Sequence, residues 1–415
     1  MASDLLEKLR LSRELIVGGQ PASAFLTVYI GVYNGREYLP TIKHFLEESY
    51  WDNFNLIIVD NASTDNSWEE IKQWESHLKM PYKLVRNSIN LGGGGSFELN
   101  KDLLKSEWVT FIHQDDIYFS KHLFELSKAA KTSNPEVIAI STEMGSMDHV
   151  GTLKYSTPRP IWLLKNKSPI SYFLSNLRTH LVPWGSSIFR TKEFLSVDLA
   201  WHSTAFPDTE MLLKMCALGE FVNLPIQTML YRENPMSESH GLGNPEKEIA
   251  AVAALSRVFA SEEFKKLAVE VETARREEFL SEIKKGIGIR IQDRTLAKIV
   301  ELIAEESLLI AWSYGEKNLV EGVSSKYADF GASRVTELFD RLLGYESDFK
   351  RDFSTQDEEE LKVSPLQNEN DLARDRVILE AVLKYLPYHK RRFLLKSLLK
   401  LKISFTKNHP HKFSW

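Results

Sequence analysis

The stretch Thr110-Phe-Ile-His-Gln-Asp-Asp-Ile-Tyr118 predicts a buried strand that ends in two adjacent acids. Residues 108–112 are mostly β-branched and aromatic, which is typical of a strand inside a sheet. Acids placed where a parallel strand stops lie in the crevice in which open α/β sheets bind ligands. Paired carboxylates there suit a divalent cation that carries a phosphorylated substrate. An isolated Asp-Asp pair also suits a solvated turn, so the interpretation depends on the neighbouring strands.

Strand and helix patterns alternate on both sides of this stretch. Strands are predicted at 26–33, 56–59, 83–86, 108–113 and 137–141, and helices at 37–48, 65–78, 96–105 and 121–131. This alternation predicts an α/β fold, with a mostly parallel Rossmann-like sheet covered by helices on both faces. Irregular structure is predicted for 142–167. It is followed by a helix at 170–175, a strand at 186–189, a helix at 208–218 and a strand at 221–231.

The rest of the chain predicts a separate all-helical domain. Helical apolar spacing recurs at 249–259, 262–285, 294–314, 332–343 and 375–386, and a short amphipathic helix is predicted at 4–16. We therefore predict four segments: an N-terminal helix and linker at 1–24, the α/β domain at 25–245, the helical domain at 246–383 and a basic amphipathic segment at 384–415.

Composition excludes several classes of protein. The formal net charge of -5 argues against a nucleic-acid partner. Cys216 is the only cysteine, which excludes an internal disulfide and a cysteine-built zinc site. The N-terminus has no apolar segment typical of a signal peptide, and no run is long enough for a membrane span. A cytoplasmic protein is expected.

Four polar features follow strands of the predicted sheet. They are Asn34, Asp60, the glycine run Gly92–Gly95 and the pair Asp115/Asp116. Right-handed crossovers place the carboxyl ends of parallel strands on one edge, so we expect these features to converge there. An acid after the second strand accepts hydrogen bonds from a base or ribose, and glycines before a helix allow a ligand close to the backbone. Turn or N-cap chemistry and a mobile loop are the alternative explanations for any one of them.

Six short segments carry a family resemblance. In chain order they are Val32-Tyr33-Asn34-Gly35, Val59-Asp60-Asn61-Ala62-Ser63-Thr64-Asp65, Asn90-Leu91-Gly92 with Asn100, Asp115-Asp116-Ile117-Tyr118, Asp208-Thr209-Glu210-Met211-Leu212, and Tyr231-Arg232 with Ser237 and Ser239. Their order and spacing resemble those of the family 2 glycosyltransferases of the GT-A fold, over roughly half of the chain. The resemblance implies an inverting hexosyltransferase that uses a nucleotide-diphosphate sugar, most simply a UDP-sugar, with Mn²⁺ or Mg²⁺.

The resemblance also implies roles for single residues on the donor side. Asp60 would contact the base or ribose of the donor, beside a pocket lined by the backbone of Tyr33 and Asn34. The remaining donor-binding residues would be Asn90, Gly92, Asp115, Asp116 and Arg232, of which Asp115 and Asp116 would also bind the metal.

Two positions depart from the family pattern. His113 stands where the first acid of the D-x-D motif is expected. It is either a metal ligand or ribose contact, or a core histidine. Asn234 replaces a late histidine of the family, and His240, six residues on, is either a substitute metal ligand or a loop residue.

The acceptor side rests on three residues. Asp208 falls at the position of the family's general base, and a helix that begins there would hold it rigidly; an N-cap role is compatible. Glu210 is the second candidate, assigned to acceptor binding. Trp184 suits either stacking on a sugar or packing in the core, with no preference between them.

The C-terminal segment concentrates positive charge. Residues 384–415 contain nine Lys/Arg and no Asp/Glu, with leucines on the opposite face of the predicted helix. Such a helix suits an anionic membrane surface, at the inner face of the cell membrane. It equally suits packing of its leucines on the helical domain, which is itself a candidate surface for homo-oligomer formation.

The acceptor implied by the resemblance is a glycan, a lipid-linked sugar or a surface polymer, as in polysaccharide biosynthesis of the cell envelope. Two other functions remain as alternatives. A sugar-phosphate nucleotidyltransferase would carry a G-x-G-T-R segment after the first strand, where this chain has Gly31-Val-Tyr-Asn-Gly-Arg36. A noncatalytic nucleotide-sugar-binding assembly protein is disfavoured by Asp115, Asp116 and Asp208.

Overall fold

A computed structural model describes residues 2–19, 25–50, 53–154, 168–179, 182–197, 199, 207–233 and 244–315. The chain forms two compact units. The first consists of Met1–Tyr172, His180–Trp201 and Leu218–Gly241, and the second of Phe173–Thr179, His202–Ala217 and Leu242–Trp415. The predicted domain limits along the sequence stay predictions.

The first unit contains a ten-stranded mixed sheet. The strands are β1 Glu14–Gly18, β2 Leu26–Val32, β3 Asn55–Asp60, β4 Tyr82–Arg86, β5 Trp108–His113, β6 Ile117–Tyr118, β7 Val137–Asp148, β8 Leu153–Lys154, β9 Ser187–Arg190 and β10 Glu220–Glu233. Their order is β1-β4-β3-β2-β5-β9-β7-β10-β6, with β8 paired to β7. Strands β4, β3, β2 and β5 are parallel neighbours, and β9 inserts antiparallel between β5 and β7.

Helices connect these strands and make up most of residues 244–315. Their bounds are Ala2–Ser12, Leu39–Glu48, Ser67–Gln73, Gly92–Asn100, His122–Thr132, Pro169–Thr179, Thr191–Ser196, Pro207–Met215, Asn244–Ala260, Glu262–Val269, Arg276–Arg290 and Arg294–Gly315. Within the described ranges, no helix combines the length and apolar character needed to cross a membrane.

The core of the first unit lies on the parallel strands. Ile30, Leu56 and Ile58 are fully buried, as continuous apolar strands covered on both faces should be. Helix Leu39–Glu48 packs against them because Leu39, Ile42, Phe45 and Leu46 recur at helical spacing on one face. Because these buried strands are parallel, their carboxyl ends lie at the same edge of the sheet.

The second unit is helical in its described part. Its buried side chains include Phe259, Phe264, Ile283, Ile287 and Leu308. Ser261 separates two of its helices by capping Glu262–Val269, since its side chain accepts a hydrogen bond from the Phe264 N–H. The α/β class followed by a helical region is thereby confirmed.

Three predicted elements are wrong in detail. The helix predicted at 4–16 ends at Ser12 and is followed by β1, whose pairing with β4 outweighs the helical pattern. Irregular structure predicted after 141 is instead the continuation of β7 to Asp148, because β10 pairs with it along this length. The helix predicted at 262–285 is two helices, Glu262–Val269 and Arg276–Arg290. The helices predicted at 332–343 and 375–386 and the basic segment 384–415 lie outside the described residues.

Candidate functional site

The loops after β2, β3 and β5 meet at the carboxyl edge of the sheet. The Tyr33 N–H donates to Gln114 Oε1 over 3.0 Å, and Gln114 Nε2 donates back to the Tyr33 carbonyl over 3.1 Å. The Asn34 N–H donates to Ser63 Oγ over 2.9 Å, and the Thr64 N–H donates to Asn34 Oδ1 over 2.8 Å. The predicted convergence of these strand ends is therefore present in the structure.

Asp60, the last residue of β3, is completely buried. Its Oδ2 accepts from the Ser63 N–H over 3.1 Å and lies 3.4 Å from Arg86 Nε. Its Oδ1 is buried without a hydrogen-bond donor. Burial raises the pKa of Asp60, an effect that Ser63 and Arg86 oppose. A buried acceptor of this kind is the type of group that a ligand N–H or hydroxyl satisfies.

The glycine run after β4 forms the first turn of helix Gly92–Asn100. Gly92 has φ of 70°, in the left-handed region that favours glycine. Its N–H donates to Asn90 Oδ1 over 2.9 Å, and Asn61 Nδ2 donates to the same oxygen over 2.7 Å. The first turn thus presents backbone without side chains at the sheet edge, next to the loop after β3.

Arg232, near the end of β10, holds the acid pair. Its N–H donates to Asp116 Oδ1 over 2.8 Å, and its Nε donates to the Asp115 carbonyl over 2.7 Å. Its Nη1 donates to the His149 carbonyl over 3.0 Å, and the guanidinium lies over the Tyr38 ring at 5.7 Å. Arg232 therefore positions the Asp115–Asp116 turn in this structure.

Asp116 is buried, with 2% of its surface exposed. Its Oδ2 has no hydrogen-bond donor, and His113 Nδ1 lies 3.7 Å from it. Burial raises the pKa of Asp116 to about 6, against the lowering effect of His113. On the other side, a Cβ at Gly185 would lie 3.6 Å from Asp116 Oδ2 and 3.1 Å from the Tyr118 hydroxyl. A glycine at 185 therefore avoids a close contact with the Tyr118 hydroxyl beside this carboxylate.

These residues fit a divalent cation that is shared with a substrate. Among the residues that the structure describes, no group of three or more His, Cys, Asp or Glu could by itself hold a metal. Mg²⁺ is commonly held by one or two carboxylates while substrate phosphates and water supply the other ligands. The orphaned Oδ2 of Asp116, adjacent to Asp115, meets that description.

Trp184 packs in an aromatic cluster. Its ring stacks on Phe111 at 5.1 Å and lies 5.0 Å from Phe189 and 5.7 Å from Phe194. The indole is only half-buried, so packing on one face leaves part of it accessible. Acceptor binding by Trp184 stays a prediction.

The second unit contains Asp208 and Glu210, both on helix Pro207–Met215. Asp208 is half-buried and in the first turn of the helix. Burial lowers the pKa of Arg290 to about 10, and the negative charge of Asp208 opposes this lowering. Asp208 therefore has a basic group in its surroundings.

Glu210 requires a correction. It is completely buried, with Lys214 Nζ at 2.7 Å from Oε1 and Arg257 Nε at 2.8 Å from Oε2. Both carboxylate oxygens are used inside the unit, so the side chain has no face to offer an acceptor. We assign Glu210 to the packing of helices Pro207–Met215 and Asn244–Ala260 instead of the predicted acceptor site. His240 lies outside the described residues.

Comparison with known proteins identifies the sheet-bearing part of the chain. Residues 27–194 match the model of the family described as Glycosyl transferase family 2. This segment, which is less than half of the chain, is similar to that family. Together with the sheet followed by helices, the match confirms the predicted GT-A fold.

Similarity to individual proteins is limited in extent. The chain is 32% identical over 89 residues to the abequosyltransferase RfbV of Salmonella typhimurium, which covers 21% of this chain and 27% of that protein. It is 32% identical over 91 residues to the amylovoran biosynthesis glycosyltransferase AmsB of Erwinia amylovora, covering 22% and 30%. The chain thus spans less than a third of the length of these two relatives. The structure of S. aureus TarS 1-349 in complex with UDP-GlcNAc is similar with a TM-score of 0.45 and 13% identity, over 70% of this chain and 90% of that one.

Sequence reasoning gave no role to several polar residues of the first unit. Gln114, Ser63 and Asn87 tie the strand-end loops together through side-chain hydrogen bonds. Their partners lie far away in sequence, and an amide or hydroxyl in a loop has no periodic signal. Only the sheet topology, which brings the loops together, would have indicated them.

Proposed function

We propose that this chain is an inverting glycosyltransferase. It moves a sugar from a nucleotide-diphosphate donor, most simply a UDP-sugar, to a hydroxyl group of a glycan, lipid-linked or surface-polymer acceptor. The observation that carries the proposal is the convergence of Asp60, the Asn90–Gly92 loop and the Asp115–Asp116 pair at one edge of the sheet, inside a segment that matches family 2.

The nucleotide occupies the strand ends in this proposal. Asp60 Oδ1 is buried and has no hydrogen-bond donor. In the donor complex, this oxygen accepts a hydrogen bond from the base or the ribose. The backbone of Tyr33 and Asn34 lines the base pocket. The uncovered first turn at Gly92 receives the diphosphate, since helix N-termini favour anions.

The acid pair receives a divalent cation, Mn²⁺ or Mg²⁺, together with the diphosphate. Asp115 and Asp116 are the carboxylates that would hold it, and His113 is the neighbouring nitrogen. When bound, such a cation neutralises the negative charge that develops on the departing diphosphate. Arg232 keeps the two carboxylates in position for this through its contacts with Asp116 Oδ1 and the Asp115 carbonyl.

Asp208 acts as the general base. Its carboxylate accepts the proton of the acceptor hydroxyl while the new bond from that oxygen to the anomeric carbon forms. The bond from the anomeric carbon to the diphosphate oxygen breaks in the same displacement, which inverts the anomeric centre. The first turn of a helix restricts the position of Asp208, and Arg290 of the same unit interacts with its negative charge.

The names of two relatives support the acceptor class that we propose. They include a transferase of abequose and a glycosyltransferase of amylovoran biosynthesis. We take the acceptor of this chain to be a glycan of the same general kind, reached at the inner face of the cell membrane with the help of segment 384–415.

A nucleotide-sugar screen tests this function. Thermal unfolding is measured with UDP-, GDP- and dTDP-sugars, with and without Mn²⁺. A ligand at a hundred times its Kd stabilises the folded state by about 2.7 kcal/mol, so a donor raises the melting temperature measurably. We expect one nucleotide class to do so, more strongly with Mn²⁺, and Asp115→Ala to remove the Mn²⁺ contribution. If no nucleotide sugar changes the melting temperature in either condition, the proposed function is wrong.

A further inference from the structure

A line of carboxamides crosses the first unit from the N-terminal segment to the glycine loop. Arg13 Nη1 donates to Asn100 Oδ1 over 3.0 Å, and Asn100 Nδ2 donates to Asn87 Oδ1 over 3.0 Å. Asn87 Nδ2 donates to Asn61 Oδ1 over 3.0 Å, and Asn61 Nδ2 donates to Asn90 Oδ1 over 2.7 Å. Every link donates in the same direction, so each amide has its orientation set by the one before it.

The interior of this line is shielded from water. Asn100, Asn87 and Asn61 are 0%, 2% and 5% exposed. Asn100 Nδ2 also donates to the Ser96 carbonyl over 2.9 Å, and Asn87 Nδ2 to Ser96 Oγ over 2.9 Å. A flipped or missing amide would leave buried donors and acceptors unsatisfied, which is costly where water cannot replace the partner. The line therefore has one favoured arrangement.

At its far end the line determines the backbone of the loop. Asn61 Oδ1 accepts from the Leu91 N–H over 3.2 Å, and Asn61 Nδ2 donates to the Gly92 carbonyl over 3.1 Å. Asn90 Oδ1 accepts from the Gly92 N–H over 2.9 Å. Polar groups of the loop backbone on both sides of the Leu91–Gly92 peptide are thus bonded to the line, which holds Gly92 at its positive φ.

At its near end the line begins outside the segment that matches the family. Arg13 lies between helix Ala2–Ser12 and β1, whereas the family match starts at residue 27. Its guanidinium also donates to Asp102 Oδ1 and Oδ2 over 3.2 and 3.0 Å, and its side chain is only 11% exposed. Arg13 is thereby fixed in the geometry that orients Asn100.

We propose that Arg13 supports the donor site from outside it, because it acts through Asn100, Asn87 and Asn61 to hold the Asn90–Gly92 loop in the conformation that receives the donor diphosphate. This inference rests on the proposed function for the identity of the ligand. Arg13, Asn100 and Asn87 are positioning residues, since they act on the loop and not on the donor.

Hydrogen exchange of the free protein tests the coupling without any ligand. Arg13→Ala removes the first donor, and Asn100→Asp keeps the contact with Arg13 but removes the donor to Asn87. Arg10→Ala is the matched control, because Arg10 lies on the helix just before Arg13 and its Nε donates to the Leu99 carbonyl over 3.2 Å without joining the line. We expect amide exchange in residues 88–95 to become at least about fivefold faster in Arg13→Ala and Asn100→Asp, and unchanged in Arg10→Ala and in strands β2 and β3. Equal exchange of the loop in all four proteins, or a uniform rise throughout the sheet, overturns the inference.

Binding of UDP with Mn²⁺, measured by calorimetry on the full chain, tests the link to the donor. A Kd raised at least about fivefold in Arg13→Ala and Asn100→Asp, but not in Arg10→Ala, supports it. The same variants should raise the donor KM more than they lower kcat. Equal UDP affinity in all four proteins overturns the inference while leaving the proposed function intact. If the wild-type protein binds none of UDP, GDP and dTDP, the proposed function and the donor part of this inference fall together, and the exchange experiment alone decides whether Arg13 orders the loop.

Discussion

Asp116 combines burial with an unsatisfied oxygen. Its Oδ1 is bonded to the Arg232 N–H, while its Oδ2 has His113 Nδ1 as a neighbour at 3.7 Å and no hydrogen-bond donor. Burying a carboxylate without full pairing is unfavourable, and the raised pKa of Asp116 reflects this. A protein tolerates such a group where a ligand completes it, which is why we place the cation and the diphosphate here.

Substitution of Asp208 distinguishes the chemical step from donor binding. Asp208→Asn keeps the size of the group but removes its basicity, so we expect kcat to fall by about 10²- to 10⁴-fold. Donor affinity is expected to stay the same, because the role proposed for Asp208 is to take the proton of the acceptor and not to bind the nucleotide. Steady-state kinetics with the donor identified by the screen, together with donor titration, measure both. A variant that turns over like the wild type would show that another group takes the proton.

Acids were easier to predict than amides. Asp60 and Asp115 follow apolar strands directly, and strand ends in a parallel sheet are known sites of ligand binding. Asn87 also lies close to the strand ends, but no sequence pattern predicts this. Its hydrogen bonds to Asn61 and Asn100 form only when the tertiary structure brings the three residues together. Glu210 was misassigned because sequence alone did not show that Lys214 and Arg257 take up both of its oxygens.

Helix His122–Thr132 is joined to β10 by a buried histidine. His122 Nδ1 lies 2.7 Å from Thr228 Oγ1, and burial lowers the pKa of His122 to about 3. The unfolded chain takes up a proton at His122 near its ordinary pKa of about 6.5, whereas the folded chain does so only near pH 3. The free energy of unfolding contributed by this group is therefore fully present above pH 6.5 and is lost as the pH falls.

The pH dependence of unfolding measures this contribution. Between pH 6.5 and 5 the wild type should lose about 2 kcal/mol more than His122→Gln, at about 1.4 kcal/mol per pH unit. Urea unfolding at these two pH values gives the difference. The exposed His77→Gln serves as control and should follow the wild type. Parallel pH profiles for the wild type and His122→Gln would contradict the buried neutral histidine.

Helices Pro207–Met215 and Asn244–Ala260 are joined by the ion pairs of Glu210. Glu210→Ala would leave Lys214 and Arg257 buried without their shared counter-charge, and loss of one partner from such a cluster costs about 3–5 kcal/mol. Urea unfolding should show this loss of stability. The matched variant Glu278→Ala removes an exposed i,i+3 pair with Arg275 and should cost less than about 1 kcal/mol. A stable Glu210→Ala protein with impaired acceptor use would restore the acceptor role.

The limits of helices and strands were predicted correctly where burial determines the sequence pattern. They were wrong where tertiary contacts determine the limits. Strand β5 was predicted with its observed limits because a short apolar, β-branched run is typical of a buried strand. The helix after β4 was predicted to begin at 96 and begins at Gly92, since glycine is a poor helix former. The hydrogen bonds from Asn61 and Asn90 override this weak propensity.

For the molecule as a whole, charge is unevenly distributed along the sequence. Residues 384–415 carry nine basic and no acidic side chains in a chain of net charge -5. If this segment binds anionic lipid, each basic residue near the surface contributes about 1 kcal/mol, and salt screens the attraction. We expect the full chain to co-sediment with phosphatidylglycerol vesicles at low salt, and a chain ending at residue 383 to remain in solution.

Two outcomes would contradict membrane binding. Vesicles of phosphatidylcholine alone should retain neither protein, so equal retention on both lipids would indicate nonspecific adsorption. The alternative, in which the leucines pack on the helical domain, is favoured by either of two results. One is a truncated chain that binds phosphatidylglycerol vesicles as well as the full chain does. The other is a truncated chain of lower thermal stability, when the full chain itself does not bind the vesicles.

Release of nucleoside diphosphate is the most direct test of the account. The purified chain is incubated with a panel of nucleotide sugars and Mn²⁺, with and without mixed glycan and lipid-linked acceptors, and free nucleoside diphosphate is quantified. We expect release from one donor, stimulated by an acceptor and lowered at least about a hundredfold in Asp115→Ala. If no donor of the panel is cleaved under any acceptor condition, or if Asp115→Ala releases nucleoside diphosphate at the wild-type rate, the assignment of this sheet edge as a glycosyltransferase active site is contradicted.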